Sequence, residues 1–183
     1  MMHNVLADLN IKALDRYEPE VLQTHEVTAV LLALGSNYHA DTYLPIALSR
    51  LAELGEIELS TAFQNPDFTA TLALPKPDYT NQCAYLALKS PLTLAQLQQT
   101  LRQIECDCQR QRLTERSMSI KQVTMDIDIL LVNLYTSLYI NKNSLSKINI
   151  SKWIVMANRY PFKTHEAVGI EELVSRRVSE SKN

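Results

Sequence analysis

Apolar residues along this chain occur in short runs that have the length and composition of buried β-strands. Residues 29–34 are all apolar and are followed by Gly35-Ser36-Asn37, which is a turn signal. The predicted strands are residues 29–34, 56–63, 82–88 and 125–132, and, beyond Asn133 where the pattern weakens, residues 152–156.

Two other stretches have the three- and four-residue spacing of amphipathic helices. The first begins at Asp41 or Thr42, carries leucines at positions 44, 48 and 51, and ends at Gly55. The second begins with a capping box, Thr93-x-x-Gln96, and continues with an apolar stripe that ends at Ile104. A third, short helix is predicted over residues 169–174.

The order of these elements predicts the fold class. Strand, helix, strand, a proline-containing loop over residues 64–80, strand, helix, loop and strand follow one another. This is the order of a split βαβ unit, so we expect an α+β, ferredoxin-like α/β sandwich with an antiparallel sheet. We expect residues 27–183 to form a single domain, with residues 1–26 as an N-terminal arm.

Composition narrows the class of protein. The chain has 183 residues, 46% of them hydrophobic and 21% charged, and a net charge of −2, so no global basic field favours nucleic acid or an anionic membrane. The cysteines, Cys83, Cys106 and Cys108, are odd in number. Because the N-terminal residues have no apolar signal region, we expect reduced thiols in a cytoplasmic protein. We also expect a monomer.

The strongest candidate for chemistry is the pair Asp126 and Asp128 on the predicted strand over residues 125–132. Alternate residues of a strand share a face, so the two carboxylates lie on one side and repel each other. A half-exposed strand with a solvated acidic face is the simpler interpretation. Leu130 and Val132 make the same face partly apolar, which favours a Mg²⁺ site.

Basic residues lie between the second helix and this strand. They are Arg110, Arg112, Arg116 and Lys121. Guanidinium groups bind phosphate oxygens in a bidentate fork, although Arg110 and Arg112 could instead complement the dipole at the helix C-terminus. Arginines next to an acidic pair predict a site for a polyphosphate that metal ions bridge to the carboxylates. Such a site supplies the positioning and charge neutralisation that phosphoryl transfer requires.

A further candidate closes the long loop. Tyr79 offers an aromatic face for stacking, and Asn81 offers a donor and an acceptor for the edge of a heterocycle. The alternative is an ordinary turn that starts a strand.

Together these pieces resemble a known family, the 6-hydroxymethyl-7,8-dihydropterin pyrophosphokinases of folate biosynthesis. The resemblance covers residues 28–133, in family order. It is carried by LALGSN at residues 32–37, PDYTN at 77–81, QIE at 103–105, RxRxxxR at 110–116 and MDIDILL at 125–131.

The resemblance implies an enzyme that moves the terminal diphosphate of ATP onto the pterin hydroxymethyl group and releases AMP. It implies that Asp126 and Asp128 hold two Mg²⁺ ions and, with Arg110 and Arg116, form the catalytic set. Pterin would be bound by Tyr79, Asn81 and Asn65. The nucleotide would be bound by Glu105, Arg110, Arg112 and Lys121.

The chain also departs from the family pattern. Val123 stands where the family has an arginine, and the family's Pro-His segment after the D-x-D strand is not recognisable. Arg159 could replace a later family arginine, and Tyr160 or Phe162 the aromatic that stacks on pterin. The alternative function is therefore a weak or inactive relative that binds pterin or nucleotide as a regulatory module. An RNA-binding sandwich is disfavoured by the acidic pI.

Overall fold

The computed structural model of this protein describes residues 6, 9–66, 70–73, 75–112, 121–139 and 147–180. The described residues form seven strands and three α-helices. The strands are β1 (Arg16–Tyr17), β2 (Glu26–Ser36), β3 (Gly55–Leu59), β4 (Phe63–Asn65), β5 (Tyr79–Thr93), β6 (Asp126–Tyr139) and β7 (Lys147–Met156). The helices are α1 (Ala40–Leu54), α2 (Leu94–Asp107) and α3 (Thr164–Glu180), and short 3₁₀ turns cover Ile11–Ala13, Pro19–Leu22 and Ala157–Arg159.

All seven strands belong to one sheet. Its order is β1-β7-β6-β2-β5-β3, and β4 pairs with the first part of β5. The central strand β2 is antiparallel to both β5 and β6. The prediction of an α+β, ferredoxin-like sandwich is confirmed. The sheet is mixed rather than purely antiparallel, because β1 pairs with β7 in the parallel direction at the edge. A two-residue strand has too few positions to show a pattern in the sequence.

Helices cover both faces of the sheet. On one face, α1 and α2 pack on a core that includes Leu32, Leu86 and Ile129. On the other face, Ile170 and Leu173 of α3 pack on a core that includes Leu31 and Tyr85. Burial on both sides explains why β2 is apolar without alternation. Within the described residues, no helix is long and apolar enough to cross a membrane.

The second predicted helix forms as its cap pattern indicates. The Thr93 hydroxyl accepts a hydrogen bond from the backbone N–H of Gln96 at 3.2 Å, and the Gln96 side chain accepts one from the Thr93 N–H at 2.9 Å. This capping box fixes where α2 begins. It therefore fixes the position of Glu105 three turns later, which matters for the site below.

Candidate active site

The register of three strands brings the predicted residues to one face. Gly35 of β2 lies opposite Asn81 of β5 on one side and Asp126 of β6 on the other. Two residues earlier on β2, Ala33 lies opposite Asp128 of β6. Directly opposed residues point to the same face of a sheet, so Asn81 and both aspartates share it. The two small residues between them leave this face open, and a methyl group on Gly35 would lie 3.2 Å from Asn81 Oδ1.

A cavity of about 450 Å³ opens over this face, and it is here called the Asn81 cavity. Its wall includes the three residues predicted to bind pterin, Asn65, Tyr79 and Asn81, together with both aspartates. Asn65 Nδ2 is buried and has no hydrogen-bond partner among the described residues. An unsatisfied buried donor costs free energy, so its presence in the cavity wall indicates a place for a polar ligand.

A second cavity, of about 380 Å³, lies on the other side of the aspartates, and it is here called the Glu105 cavity. Glu105, Arg112, Asp128 and Arg159 contribute charged groups to its wall. Asp128 lines both cavities. A ligand in one cavity can therefore meet a ligand in the other at the D-x-D pair.

Guanidinium groups surround the two carboxylates. Asp126 Oδ1 lies 3.1 Å from Arg110 Nη1 and 3.2 Å from Arg112 Nη2. Asp128 Oδ2 lies 3.0 Å from Arg159 Nη2, which is also 2.9 Å from Glu166 Oε1. Burial and the neighbouring charge of Asp126 raise the pKa of Asp128, and Arg159 opposes this shift. Burial, the larger cause, therefore disfavours the charged form of Asp128 even with Arg159 beside it.

The donor set fits Mg²⁺ that shares its ligands with a substrate. Both groups are carboxylates, the oxygen ligands that this ion prefers, and a bound cation would lower the raised pKa of Asp128. No cluster of three or more His, Cys, Asp or Glu side chains that could hold a metal occurs in the described part of the chain. Mg²⁺ commonly completes such a pair with waters and phosphate oxygens.

Glu105 connects α2 to the D-x-D strand. Its Oε1 accepts a hydrogen bond from the backbone N–H of Ile127, between the two aspartates, at 2.9 Å. The same carboxylate accepts from Arg112 Nη2 at 2.9 and 2.7 Å. Burial raises the pKa of Glu105, whereas these hydrogen bonds lower it. The hydrogen bond that Arg112 donates to Glu105 also raises the pKa of Arg112, so this guanidinium stays charged in the cavity wall.

The predicted cationic residues occupy different environments. The side chain of Arg110 is only 2% exposed and donates to the backbone carbonyl of Met125 at 2.8 Å, so it supports the start of β6 from inside. Arg112 is 58% exposed and is held by Glu105 and Asp126 at the surface. Lys121 is exposed and is not among the residues that line either cavity. Arg116 lies outside the described residues. The functional roles of all four stay predictions.

Asn37 is a positioning residue, a role that neither the turn signal nor the LALGSN motif predicts. Its Oδ1 accepts from the backbone N–H of Val123 at 2.6 Å, and its Nδ2 donates to the Lys121 carbonyl at 2.9 Å. The side chain thus pairs with the backbone of residues 121–123 as a strand would. Val123, which stands at the position of the family arginine, is buried beside these hydrogen bonds. No local pattern predicts this bond, because its partners are 84 and 86 residues apart.

The start of α3 also contributes groups that are not among the predicted site residues. Lys163, His165 and Glu166 line the Asn81 cavity. Glu166 is 2% exposed, accepts the backbone N–H of Lys163 at 2.9 Å and holds Arg159 on its other oxygen. Burial lowers the pKa of His165. An acidic residue in the first turn of a helix was the available signal for Glu166.

Comparison with known proteins shows which family the chain belongs to. The family model described as 7,8-dihydro-6-hydroxymethylpterin-pyrophosphokinase (HPPK) matches residues 31–155, which contain the second half of β2, strands β3 to β6 and nearly all of β7. A search of curated proteins found no match. The match spans more than half of the chain and includes Asn65, Asn81, Glu105 and both aspartates, and the chain belongs to the 7,8-dihydro-6-hydroxymethylpterin-pyrophosphokinase family.

Proposed function

We propose that this protein transfers the terminal diphosphate of ATP to the hydroxymethyl group of 6-hydroxymethyl-7,8-dihydropterin, as a step of folate biosynthesis. The observation that carries the proposal is that Asp128 lines both cavities. One cavity would hold the pterin and the other the nucleotide, so that the two substrates meet at the carboxylate pair. In the reaction the hydroxymethyl oxygen forms a bond to the β-phosphorus, the bond from that phosphorus to the α,β-bridging oxygen breaks, and AMP leaves. The hydroxyl proton passes to solvent.

The pterin is assigned to the Asn81 cavity. Asn65 and Asn81 present amide groups that match the donors and acceptors along the edge of a pterin ring. The unpartnered Nδ2 of Asn65 supports this assignment, since a ring nitrogen or carbonyl would satisfy it. Tyr79 supplies an aromatic surface beside them. His165, with its lowered pKa, adds a neutral imidazole to the same wall.

The triphosphate is assigned to the charged part of the Glu105 cavity. Asp126 and Asp128 would hold two Mg²⁺ ions, which neutralise phosphate charge and lower the pKa of a coordinated hydroxyl when bound. Arg112 and Arg159 pair with these carboxylates in the structure described here. With the aspartates engaged by metal, the N–H groups that the arginines now direct at them are available to phosphate oxygens. Each arginine would then exchange an aspartate for a phosphate while its glutamate partner, Glu105 or Glu166, keeps it in place.

A second function is kept because of the buried Val123. The family has an arginine at this position, and here the residue is 2% exposed and carries no charge. Arg110 does not replace that arginine here, because it is buried and its Nη1 is bonded to Met125 and Asp126. Loss of one preorganised donor typically costs about 10²–10³ in rate. A protein that binds both ligands but turns them over slowly or not at all would fit this observation.

One assay separates these functions. Purified protein is incubated with ATP, Mg²⁺ and 6-hydroxymethyl-7,8-dihydropterin, and AMP and the pterin diphosphate are both quantified by chromatography. The enzyme produces the two in equal amounts. A binding module produces neither, although calorimetry detects binding of the pterin or of α,β-methylene-ATP, in which the reacting bridge cannot break. If neither ligand binds, both functions are rejected.

A further inference from the structure

The segment that precedes the family region forms part of the Glu105 cavity. The family match begins at residue 31, yet Pro19 lies in the wall of this cavity together with Gln98 of α2 and Met156 of β7. We propose that residues 15–23 complete the nucleotide site, with Pro19 forming the wall at the end that holds the base. This inference rests on the proposed function, because it takes the Glu105 cavity as the nucleotide site.

One end of the segment is attached to β7. Arg16 and Tyr17 pair in parallel with Val155 and Met156, and the backbone N–H of Val155 donates to the Asp15 carbonyl at 3.0 Å. The guanidinium of Arg16 also lies 3.6 Å from the centre of the Tyr160 ring, which is a cation–π contact. The segment is thereby attached on both sides of the turn that carries Arg159.

The other end is attached to the start of α2. Gln23 Nε2 donates to the Pro19 carbonyl at 2.7 Å and to Gln98 Oε1 at 3.2 Å. The Gln23 carbonyl accepts from the backbone N–H of Ala95 at 3.1 Å. Leu22 is buried in the core that α1 and α2 cover. The segment therefore bridges β7 and α2, and Pro19 is held between these two attachments.

The direction of α2 determines which end of the cavity Pro19 occupies. Gln98 and Glu105 both line it, seven residues apart, which corresponds to about 10 Å along a helix. The Glu105 end carries Arg112 and the aspartates, so it takes the phosphates. Gln98 is bonded to Gln23 beside Pro19, at the opposite end.

The Pro19 end suits a nucleobase. Leu101 and Met156 give it apolar surface, and the Gln98 side chain carries an amide that can hydrogen-bond to a heterocycle. Arg102 lies between the two ends. The base of the nucleotide then packs against Pro19, and the position of residues 15–23 becomes part of nucleotide affinity.

The test fills this end of the cavity with Pro19→Trp. The matched control is Val21→Trp in the same turn, because Val21 is 59% exposed and is not among the residues that line the cavity. Calorimetry in the presence of Mg²⁺ measures the affinity of each protein for three ligands in separate titrations: α,β-methylene-ATP, inorganic tripolyphosphate and the pterin. We expect Pro19→Trp to weaken the binding of α,β-methylene-ATP by at least about tenfold, because the larger side chain would occupy space that the base needs. Tripolyphosphate and pterin affinities stay unchanged, and Val21→Trp behaves as wild type.

The outcomes separate this inference from the proposed function. Wild-type protein that binds no nucleotide overturns the proposed function and this inference with it. Nucleotide binding that is unaffected by Pro19→Trp overturns this inference alone, as does an equal loss for tripolyphosphate, which would place Pro19 at the phosphates. If Pro19→Trp does not fold, Pro19→Ala decides in its place. Because alanine removes part of the cavity wall, Pro19→Ala should lower nucleotide affinity by about two- to fivefold and leave tripolyphosphate affinity unchanged. An unaltered nucleotide affinity would overturn the inference.

Discussion

Replacing Glu105 tests how the carboxylate pair is held in position. Glu105 accepts a hydrogen bond from the Ile127 N–H, and Ile127 lies between Asp126 and Asp128. Glu105→Ala removes that acceptor. Glu105→Gln keeps a side-chain oxygen in nearly the same place and removes the charge. If Glu105 acts by fixing the D-x-D backbone, Glu105→Ala is the more damaging change for both stability and Mg²⁺-dependent nucleotide binding.

The expected loss can be worked out from the contacts. An Ile127 N–H left buried without an acceptor costs about 1–3 kcal/mol. Arg112 is 58% exposed, so the loss of its ion pair adds at most about 1 kcal/mol. The raised pKa of Glu105 shows that burial opposes its charge, and relief of that cost offsets part of the loss. We therefore expect a net loss of about 1–3 kcal/mol for Glu105→Ala and about 1 kcal/mol or less for Glu105→Gln.

Urea unfolding measures the stability change, and calorimetry with α,β-methylene-ATP and Mg²⁺ measures binding. Glu171→Ala is the control, because Glu171 is an exposed glutamate of α3. We expect nucleotide affinity to fall by at least about tenfold in Glu105→Ala and by less in Glu105→Gln. If Glu105→Gln is as damaging as Glu105→Ala, the charge on Arg112 matters more than the backbone bond, and the reasoning is refuted.

Three further predictions concern other parts of the site and its support. Because the pKa of Asp128 is raised by burial and by Asp126, this group stabilises the fold below its unfolded pKa and loses that contribution as pH rises through its folded pKa. Asp128→Asn should thus be at least as stable as wild type at neutral pH and lose that advantage near pH ~3 in thermal unfolding; a variant that is less stable at neutral pH contradicts this. Asn65→Leu should weaken pterin about tenfold by calorimetry with little loss of stability, because its Nδ2 has no partner among the described residues; unchanged affinity removes Asn65 from the pterin site. Gly169→Ala should destabilise by about 1–3 kcal/mol in urea, because the new methyl group would lie 2.7 Å from Cys83 Sγ. Adding Cys83→Ala should recover part of this loss, whereas simple additivity would contradict the packing argument.

The sequence predicted the parts of the fold whose signals are local. The capping box of Thr93 and Gln96 and the apolar runs of β2 and β6 required only neighbouring residues. After Asn133 the signal was weaker, and β6 continues to Tyr139 before it pairs with β7. The third helix was predicted over residues 169–174, whereas it runs from Thr164 to Glu180. Its outer turns are rich in polar residues, so periodicity alone marked only its apolar middle.

The candidate site likewise has features with local signals in the sequence and features that depend on distant residues. Strand alternation was enough to place Asp126 and Asp128 on one face. Three features depend on residues that are distant in sequence: the hydrogen bond that the Ile127 N–H donates to Glu105, the hydrogen bonds of Asn37 to residues 121–123, and the burial of Arg110. Such contacts are fixed by the packing of helix on sheet, which a single sequence does not display. The two-residue strand β1 was missed for the same reason, because it exists only by pairing with β7.

The central claim is that Asp126 and Asp128 join the two cavities through Mg²⁺. Its most direct test is calorimetric titration of pterin into protein that already holds α,β-methylene-ATP, with and without Mg²⁺, for wild type, Asp126→Asn and Asp128→Asn. We predict that wild-type protein forms the ternary complex only with Mg²⁺, and that each variant loses the Mg²⁺ dependence together with most of its nucleotide affinity. A ternary complex that forms equally well in both variants, or that does not respond to Mg²⁺ in wild type, would contradict the account.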